Sequence, residues 1–240
     1  MISKRIIGVI TVKNNIAVQS FGYGRYLPIG DPKILVKNLN RWGVDEILVN
    51  VIDRWNKNKE PDFQLISKIK DLNITTPIIY GGAINNLENA KKLIRNGVDR
   101  LLVEKIIIND FDQFNKIYNE IGSQSLIFSK KEEEISEKFI ICIKEKLISE
   151  VLLIDYENEG SNDGFDLKLL NFFKKLKVDL ICFGGIKSSN FIKKIAKNKN
   201  VSAVGIGNSL NYLENSVQIL KKKLQKNKFR KPNYISFNDR

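Results

Sequence analysis

The chain has 240 residues, 42% of them hydrophobic, and carries 40 lysine and arginine residues against 27 acidic ones, for a net charge of +13. This length fits one large domain with a sizeable core, and no apolar run approaches the roughly 18 residues of a membrane helix. The absence of histidine excludes a histidine general base, a Ser-His-Asp triad and any histidine-ligated metal.

The remaining composition narrows the class of protein further. The positive charge is scattered over predicted helices, not gathered in a stripe with aromatic residues, so we expect no nucleic-acid partner. The N-terminus lacks an apolar segment with a cleavage site and is predicted to be a strand. Cys142 and Cys182 fall in apolar runs and are predicted to be buried, reduced thiols of a cytoplasmic protein. We expect no membrane association, metal or cofactor.

Short apolar runs alternate with helical segments along the chain. The predicted strands are Arg5–Val12, Glu46–Ile52, Pro77–Tyr80, Arg100–Val103, Ser125–Phe128, Val151–Ile154, Leu180–Phe183 and Ala203–Ile206. The predicted helices are Pro32–Trp42, Asp62–Leu72, Leu87–Asn96, Phe111–Ile121, Glu137–Ile148, Leu167–Leu176, Ser189–Asn198 and Leu213–Leu224. The first helix shows the clearest local signals, with Asp31 as N-cap, Pro32 at the first helical position and Gly43 as the stop.

Eight strand–helix units in strict alternation predict a closed parallel (β/α)8 barrel over residues 1–228, followed by a basic tail over 229–240. An open, doubly wound sheet is the alternative. Residues 78–84 and 180–186 resemble each other, each an apolar strand followed by Gly-Gly and a helix, which indicates two similar half-barrels.

Active sites of such barrels lie in the loops after the strands, where glycines let backbone N–H groups approach a phosphate. The sequence predicts two phosphate sites, and so a phosphorylated small-molecule ligand; tight turns without a ligand are the alternative. The residues are Gly184, Gly185, Gly207 and Asn208 for one site, and Gly81, Gly82 and Lys105 for the other. The aromatic loop Ser20–Gly30 is long enough to be a lid. The acidic loop Asp155–Asp166 is either a solvated loop or a weak metal site.

Four charged residues stand at the starts of strands, at the other end of the barrel: Arg5, Glu46, Arg100 and Glu150. Charges are costly inside a barrel unless they are paired. The four side chains therefore form a compensated ring across the barrel or point outward to solvent, and spacing alone leaves both open.

These features together resemble the cyclase subunit family of imidazole glycerol phosphate synthase, from about Lys4 to Lys223. The resemblance rests on residues 4–7, 12–13, 30–32, 45–46, 122–124, 159–160, 164–166 and 184–185. It implies a glutaminase subunit docked at the N-terminal face of the barrel, near Asp99, and ammonia passing inward through a gate formed by the charged ring. It also raises the expectation that the ring faces inward.

The catalytic end departs from the family. Thr11, and by the same comparison Lys131, stand where the resemblance implies two catalytic aspartates, so ordinary cyclase chemistry is in doubt. Asp53, Glu104 and Glu157 are candidate replacements.

Residues 25–32 and 40–43 look more like a paralogous group of such barrels, which is associated with surface-polysaccharide synthesis. That likeness implies delivery of glutaminase-derived ammonia to an N-acetyl sugar amidotransferase. A genuine cyclase of histidine biosynthesis and a non-catalytic scaffold that binds a phosphorylated ligand are the alternatives.

Overall fold

The computed structural model describes residues 3–54, 59–130, 136–161, 163–211 and 216–232. The strands are β1 (Arg5–Lys13), β2 (Ile16–Phe21), β3 (Arg25–Gly30), β4 (Glu46–Val51), β5 (Ile78–Gly81), β6 (Arg100–Val103), β7 (Leu126–Lys130), β8 (Glu150–Ile154), β9 (Asp179–Phe183) and β10 (Val201–Ile206). The α-helices are α1 (Pro32–Trp42), α2 (Phe63–Lys70), α3 (Leu87–Arg95), α4 (Lys105–Asn109), α5 (Phe111–Ile121), α6 (Glu137–Lys144), α7 (Ser189–Ile195) and α8 (Ser216–Leu224).

Eight parallel strands close into a barrel in the order β1, β4, β5, β6, β7, β8, β9 and β10, and β10 pairs with β1. The closing register joins Arg5 to Ala203 and Ile7 to Gly205. Helices follow the strands in alternation. The predicted (β/α)8 barrel is therefore confirmed, and the open sheet is excluded.

Local capping explains why α1 has the predicted bounds. The side chain of Asp31 accepts a hydrogen bond from the backbone N of Lys33 (2.8 Å), Pro32 opens the helix, and Gly43 ends it with φ of 74°. Each of these signals lies within the segment itself, so no tertiary contact is needed to place the ends.

Two predicted segments are corrected. The predicted loop at residues 20–30 belongs to an antiparallel hairpin, in which β2 and β3 extend the sheet from β1 and turn at residues 22–24. The predicted sixth helix is a 3-10 helix, Leu167–Lys175, with hydrogen bonds from Leu169 N to Asp166 O and from Leu176 N to Phe173 O. These bonds span three residues, and a 3-10 segment of this kind has the same apolar spacing as a short α-helix.

The core has two layers. One lies between the sheet and the helices and includes both cysteines, which are buried and free. The other fills the barrel interior, here called the lumen, with Ile7, Val9, Leu48, Ile79, Leu102, Ile127, Leu152, Ile154, Ile181, Phe183 and Ala203. No helix within the described residues is long and apolar enough to cross a membrane.

The end of the described chain returns to the start of β1. Phe229, 5% exposed, bridges Lys4, and Arg230 N donates to Lys4 O (3.2 Å). The predicted tail thus begins on the barrel, and residues 233–240 lie outside the described part.

Candidate functional site at the two ends of the lumen

A ring of four charged side chains lies across the N-terminal end of the lumen. Arg5 Nη1 is 2.8 Å from Glu46 Oε2, and Arg100 Nη1 is 3.2 Å from Glu46 Oε1. Arg100 Nη2 is 2.6 Å from Glu150 Oε2, and Arg5 Nη2 also contacts Glu150. Each cation therefore touches both anions, and we call this closed cycle the charged ring. The four side chains therefore face inward and pair with one another, and do not point outward to solvent.

Burial and ion pairing have opposite effects on the pKa values of two ring members, Glu150 and Arg5. Burial alone would raise the pKa of Glu150, but the guanidinium groups of Arg100 and Arg5 outweigh it and hold that pKa below its ordinary value. Burial likewise opposes the charge on Arg5, yet the carboxylates of Glu150 and Glu46 keep its pKa raised. Ser202 donates to Glu150, and Arg100 donates to Ser149 Oγ at 2.7 Å. Each charged side chain of the ring thus contacts two partners of opposite charge.

An apolar cavity lies directly above the charged ring. It has a volume of about 10 Å³, roughly the room needed by one water-sized molecule, and is lined by Ile7, Val9, Leu48, Ile79, Leu102, Ile127, Leu152, Ile181 and Gly205. Every one of these residues is apolar. They face the lumen because alternate residues of each parallel strand point into the barrel. A small neutral molecule meets no hydrogen-bonding side chain along this wall.

Two tyrosines lie at the C-terminal end of the lumen. Tyr23, from the hairpin turn, and Tyr156, after β8, pack against the lumen residues with ring centroids 4.9 Å apart. Burial raises the pKa of both phenols. Thr11 is in register with Asn50 at this end of the barrel, and both are buried. The position where the resemblance implies an aspartate thus carries a buried hydroxyl.

One predicted phosphate site is a pocket beside this mouth, here called the Gly82 pocket. Its lining residues include Asn50, Arg54, Gly81, Gly82, Ala83, Asn85, Glu104, Lys105 and Ser129. The structure therefore brings Gly81, Gly82 and Lys105 together as the sequence predicts. Arg54 in this pocket also pairs with Asp62, at 3.2 Å. The Glu104 carboxylate beside these cations was not anticipated there, and it lowers the net positive charge offered to an anion.

The other predicted phosphate site is a second pocket on the mouth, here called the Gly184 pocket. It is lined by Glu159, Gly160, Phe183, Gly184, Gly185, Ile186, Lys187, Gly205, Gly207, Asn208 and Ser209. All four predicted residues are present. Lys187 adds a positive charge, and its Nζ lies 3.4 Å from the carbonyl oxygen of Gly160. Backbone N–H groups and a lysine are the groups that proteins use to hold phosphate.

The catalytic candidates are not brought together. The Asp53 carboxylate accepts a hydrogen bond from Asn14 N (3.0 Å) at the rim, and Glu157 is exposed. Neither contributes to the described lining of the two pockets, whereas Glu104 does. Lys131 lies outside the described residues.

At the opposite face, Asp99 is exposed and its carboxylate accepts from Ile78 N at 2.8 Å. It fixes the start of β5 and lies on the N-terminal face of the barrel.

Comparison with known proteins agrees with this architecture. The family model described as histidine biosynthesis protein matches residues 5–216. The chain belongs to this family. It is 27% identical over 236 residues to a Vibrio vulnificus protein provisionally named imidazole glycerol phosphate synthase subunit hisF2, covering 90% of this chain and 86% of that protein.

Two further relatives are similar to this chain over most of its length. A Campylobacter jejuni protein, also provisionally named subunit hisF2, is 29% identical over 203 residues, 78% of this chain and 81% of its own. The imidazole glycerol phosphate synthase subunit HisF of Lactococcus lactis subsp. cremoris is 27% identical over 251 residues, 95% of this chain and 96% of its own. The chain is therefore a HisF-like barrel.

The structure gives specific roles to two acids of the acidic loop, for which the sequence predicted only a solvated loop or a weak metal site. Glu159 is 5% exposed, accepts a hydrogen bond from Ser20 Oγ at 2.9 Å, and has its pKa raised by burial. Asp155 is 2% exposed and accepts from Asp166 N at 2.7 Å, so it organises the acidic loop from within. Alternation of acids with glycines in this loop was the available signal, but it does not reveal which acids are buried.

Proposed function

We propose that this HisF-like barrel accepts ammonia from a glutaminase subunit and delivers it for amidation of an N-acetyl sugar in surface-polysaccharide biosynthesis. The observation that carries the proposal is an apolar lumen with the charged ring at its N-terminal end and the two pockets beside its C-terminal mouth. In this assignment the ring is the inlet and the mouth is the outlet.

The chemistry of ammonia suits such a path. Neutral ammonia is the nucleophile, and in bulk water it protonates and loses its lone pair. An apolar wall disfavours the ammonium ion, since a charge without a partner is costly in such surroundings. The ring acts as a gate in this proposal, because ammonia enters when one ion pair separates.

The proposed partners occupy opposite faces. The glutaminase docks on the N-terminal face, which carries the charged ring and exposed Asp99. The sugar amidotransferase meets the C-terminal face, where a phosphorylated ligand binds in the Gly82 and Gly184 pockets. The amidotransferase joins the nitrogen of ammonia to the carbonyl carbon of an acetamido group, the oxygen leaves as water, and an acetamidino group results.

The strand-one position favours delivery over cyclisation. Thr11 offers a hydroxyl where the resemblance implies a carboxylate, and a hydroxyl is a far weaker acid–base group near neutral pH. The alternative, a genuine imidazole glycerol phosphate synthase cyclase, is favoured by the two carboxylates at the mouth, Glu104 and Glu159.

One assay separates these two functions. The purified barrel is mixed with ammonium salt and the imidazole-forming ribonucleotide precursor, and product is followed by absorbance and mass. Turnover at an enzymatic rate supports the cyclase and overturns the delivery proposal. No turnover by folded protein supports delivery.

A second assay tests conduction directly. Leu48→Phe narrows the lumen, and Leu48→Met, which nearly conserves volume, is the matched control. With the glutaminase and amidotransferase present, we expect Leu48→Phe to reduce glutamine-driven amidation and to spare amidation driven by added ammonium salt. Equal glutamine-driven rates in both variants favour the scaffold alternative.

A further inference from the structure

The tip of the β2–β3 hairpin is inserted into the outlet of the lumen. The Tyr23 ring packs on the lumen residues and on Tyr156, and Tyr23 adopts a left-handed backbone with φ of 51°. Its hydroxyl is buried and makes no well-formed hydrogen bond within the described part of the chain, although the nearby Asn50 side chain partly offsets the effect of burial on its pKa. Buried tyrosine hydroxyls usually find a partner, and non-glycine residues usually avoid positive φ. Other contacts must therefore hold Tyr23 in this position.

One set of holding contacts comes from Glu159. Its carboxylate accepts hydrogen bonds from Ser20 Oγ (2.9 Å) and from Tyr23 N (3.4 Å). Its backbone oxygen accepts from Gly22 N at 2.9 Å. A single residue thus binds the end of β2 and the turn that follows it.

A second set comes from Asn208. Its Nδ2 donates to Ser20 O at 2.7 Å, and its Oδ1 accepts from Ser20 N at 3.3 Å. Gly160 has φ of 75°, and any side chain there would collide with the backbone of Ser20 and Phe21. The hairpin is therefore seated closely on the loop after β8 and clamped by the loop after β10.

The residues that hold the hairpin also line the Gly184 pocket: Glu159, Gly160 and Asn208 all face it. An anion bound there by the backbone N–H groups and Lys187 would lie beside the Glu159 carboxylate. Two negative charges in one pocket repel, and the anion would compete with Ser20 O for the Asn208 Nδ2 donor. Binding of an anion in the Gly184 pocket therefore weakens the contacts that hold the hairpin in place.

We propose that Tyr23 is the outlet gate of the lumen, and that binding of a phosphate group in the Gly184 pocket releases it. The inference rests on the proposed function, because it gives the lumen a reason to open only when the acceptor is bound. Ammonia is then retained in the lumen until a phosphorylated ligand arrives.

The test measures access to the lumen without relying on ammonia. Leu152→Cys places a thiol on the lumen wall, and its modification by methyl methanethiosulfonate is followed by peptide mass mapping. Native Cys142 and Cys182 lie buried outside the lumen, so their modification reports global unfolding.

We expect slow labelling in the Leu152→Cys protein. Added Tyr23→Ala should accelerate it about tenfold or more, since the rate follows the population of the open form. Ser20→Ala, which weakens the Glu159 contact and keeps the tyrosine, should accelerate it less. Leu27→Ala, at an exposed hairpin position, is the control and should leave the rate unchanged. Inorganic phosphate should accelerate labelling when Tyr23 is present and have no effect in Tyr23→Ala.

Equal labelling of the Tyr23→Ala and Leu27→Ala proteins would overturn the gate. If Tyr23→Ala accelerates labelling but inorganic phosphate does not, Tyr23 is a gate that the anion does not release. The two proposals can fail separately. If labelling follows the expected pattern but Leu48→Phe does not reduce glutamine-driven amidation, the gate is upheld and only the delivery of ammonia is refuted.

Discussion

Lys221 of α8 and Asp45, just before β4, form a buried ion pair with Nζ and Oδ1 2.7 Å apart and side chains 3% and 5% exposed. Lys221 also donates to Gly43 O at 2.7 Å, and Asp45 Oδ2 accepts from Ile6 N at 2.7 Å. The pair therefore ties the last described helix to the start of the first two barrel strands. Lys221 is the close, buried partner of Asp45 Oδ1, and the half-exposed Arg230 lies farther from the same oxygen, at 4.0 Å.

Lys221→Met should destabilise the barrel by about 3 kcal/mol, because it leaves a buried carboxylate without its cation. Lys222→Met is the matched control: the neighbouring lysine is exposed, and we expect a change within about 0.5 kcal/mol. Urea unfolding followed by circular dichroism measures both. Similar midpoints for the two variants would show that the pair is neutral to stability.

The charged ring should make stability depend on acid. The pKa of Glu150 is lower in the folded chain than the unfolded value of about 4.3, so the unfolded state binds more protons between the two. The stabilisation is complete above the unfolded pKa and is lost as pH falls through the folded one. Glu150→Gln should lower the urea midpoint at neutral pH and flatten its acid dependence. Exposed Glu145→Gln is the control, and parallel curves for the two variants would contradict this.

Removing one member of the charged ring should uncouple glutamine hydrolysis by the glutaminase from amidation of the sugar. Arg5→Ala leaves the Glu46 and Glu150 carboxylates short of one cation, and Glu46→Ala leaves the opposite imbalance. In the assembled system we expect glutamine to be consumed in excess of amidated product, while circular dichroism shows a retained fold. Lys37→Ala, at an exposed helix position, should keep the ratio of the native barrel. An unchanged ratio in both ring variants would count against the gate assignment.

A methyl group in the Gly184 pocket should weaken phosphate binding without unfolding the protein. A Cβ at Gly207 would lie 3.5 Å from the Phe183 ring and 3.6 Å from Val9 O, which are ordinary contacts. Gly207→Ala should therefore reduce the affinity for inorganic phosphate about tenfold, the loss expected for roughly one hydrogen bond to the anion. Ser67→Ala, at an exposed position of α2 away from both the pocket and the hairpin, is the control. Calorimetric titration gives both affinities, and equal values would remove Gly207 from the site.

The sequence by itself determined the elements whose signals are local. Asp31, Pro32 and Gly43 set the ends of α1, since capping depends only on neighbouring residues. Continuous apolar runs, each followed by a helix, determined the eight barrel units, because a parallel strand covered on both faces needs no polar side. The glycines of the two pockets were also predictable from the sequence. They follow the C-terminal ends of strands, and in a parallel barrel all of these ends lie on one face.

The tertiary structure decided what depends on contacts between distant segments. Arg5 and Glu150 are 145 residues apart, and only barrel closure turns four charges at strand starts into one inward ring. Residues 20–30 have the composition of a loop, yet pairing with β1 makes them part of a hairpin whose tip enters the lumen. Glu159 becomes a buried contact of that hairpin, while Glu157 two residues away stays exposed. Burial of one acid and exposure of the other follow from how the loop lies on its neighbours, which no local pattern encodes.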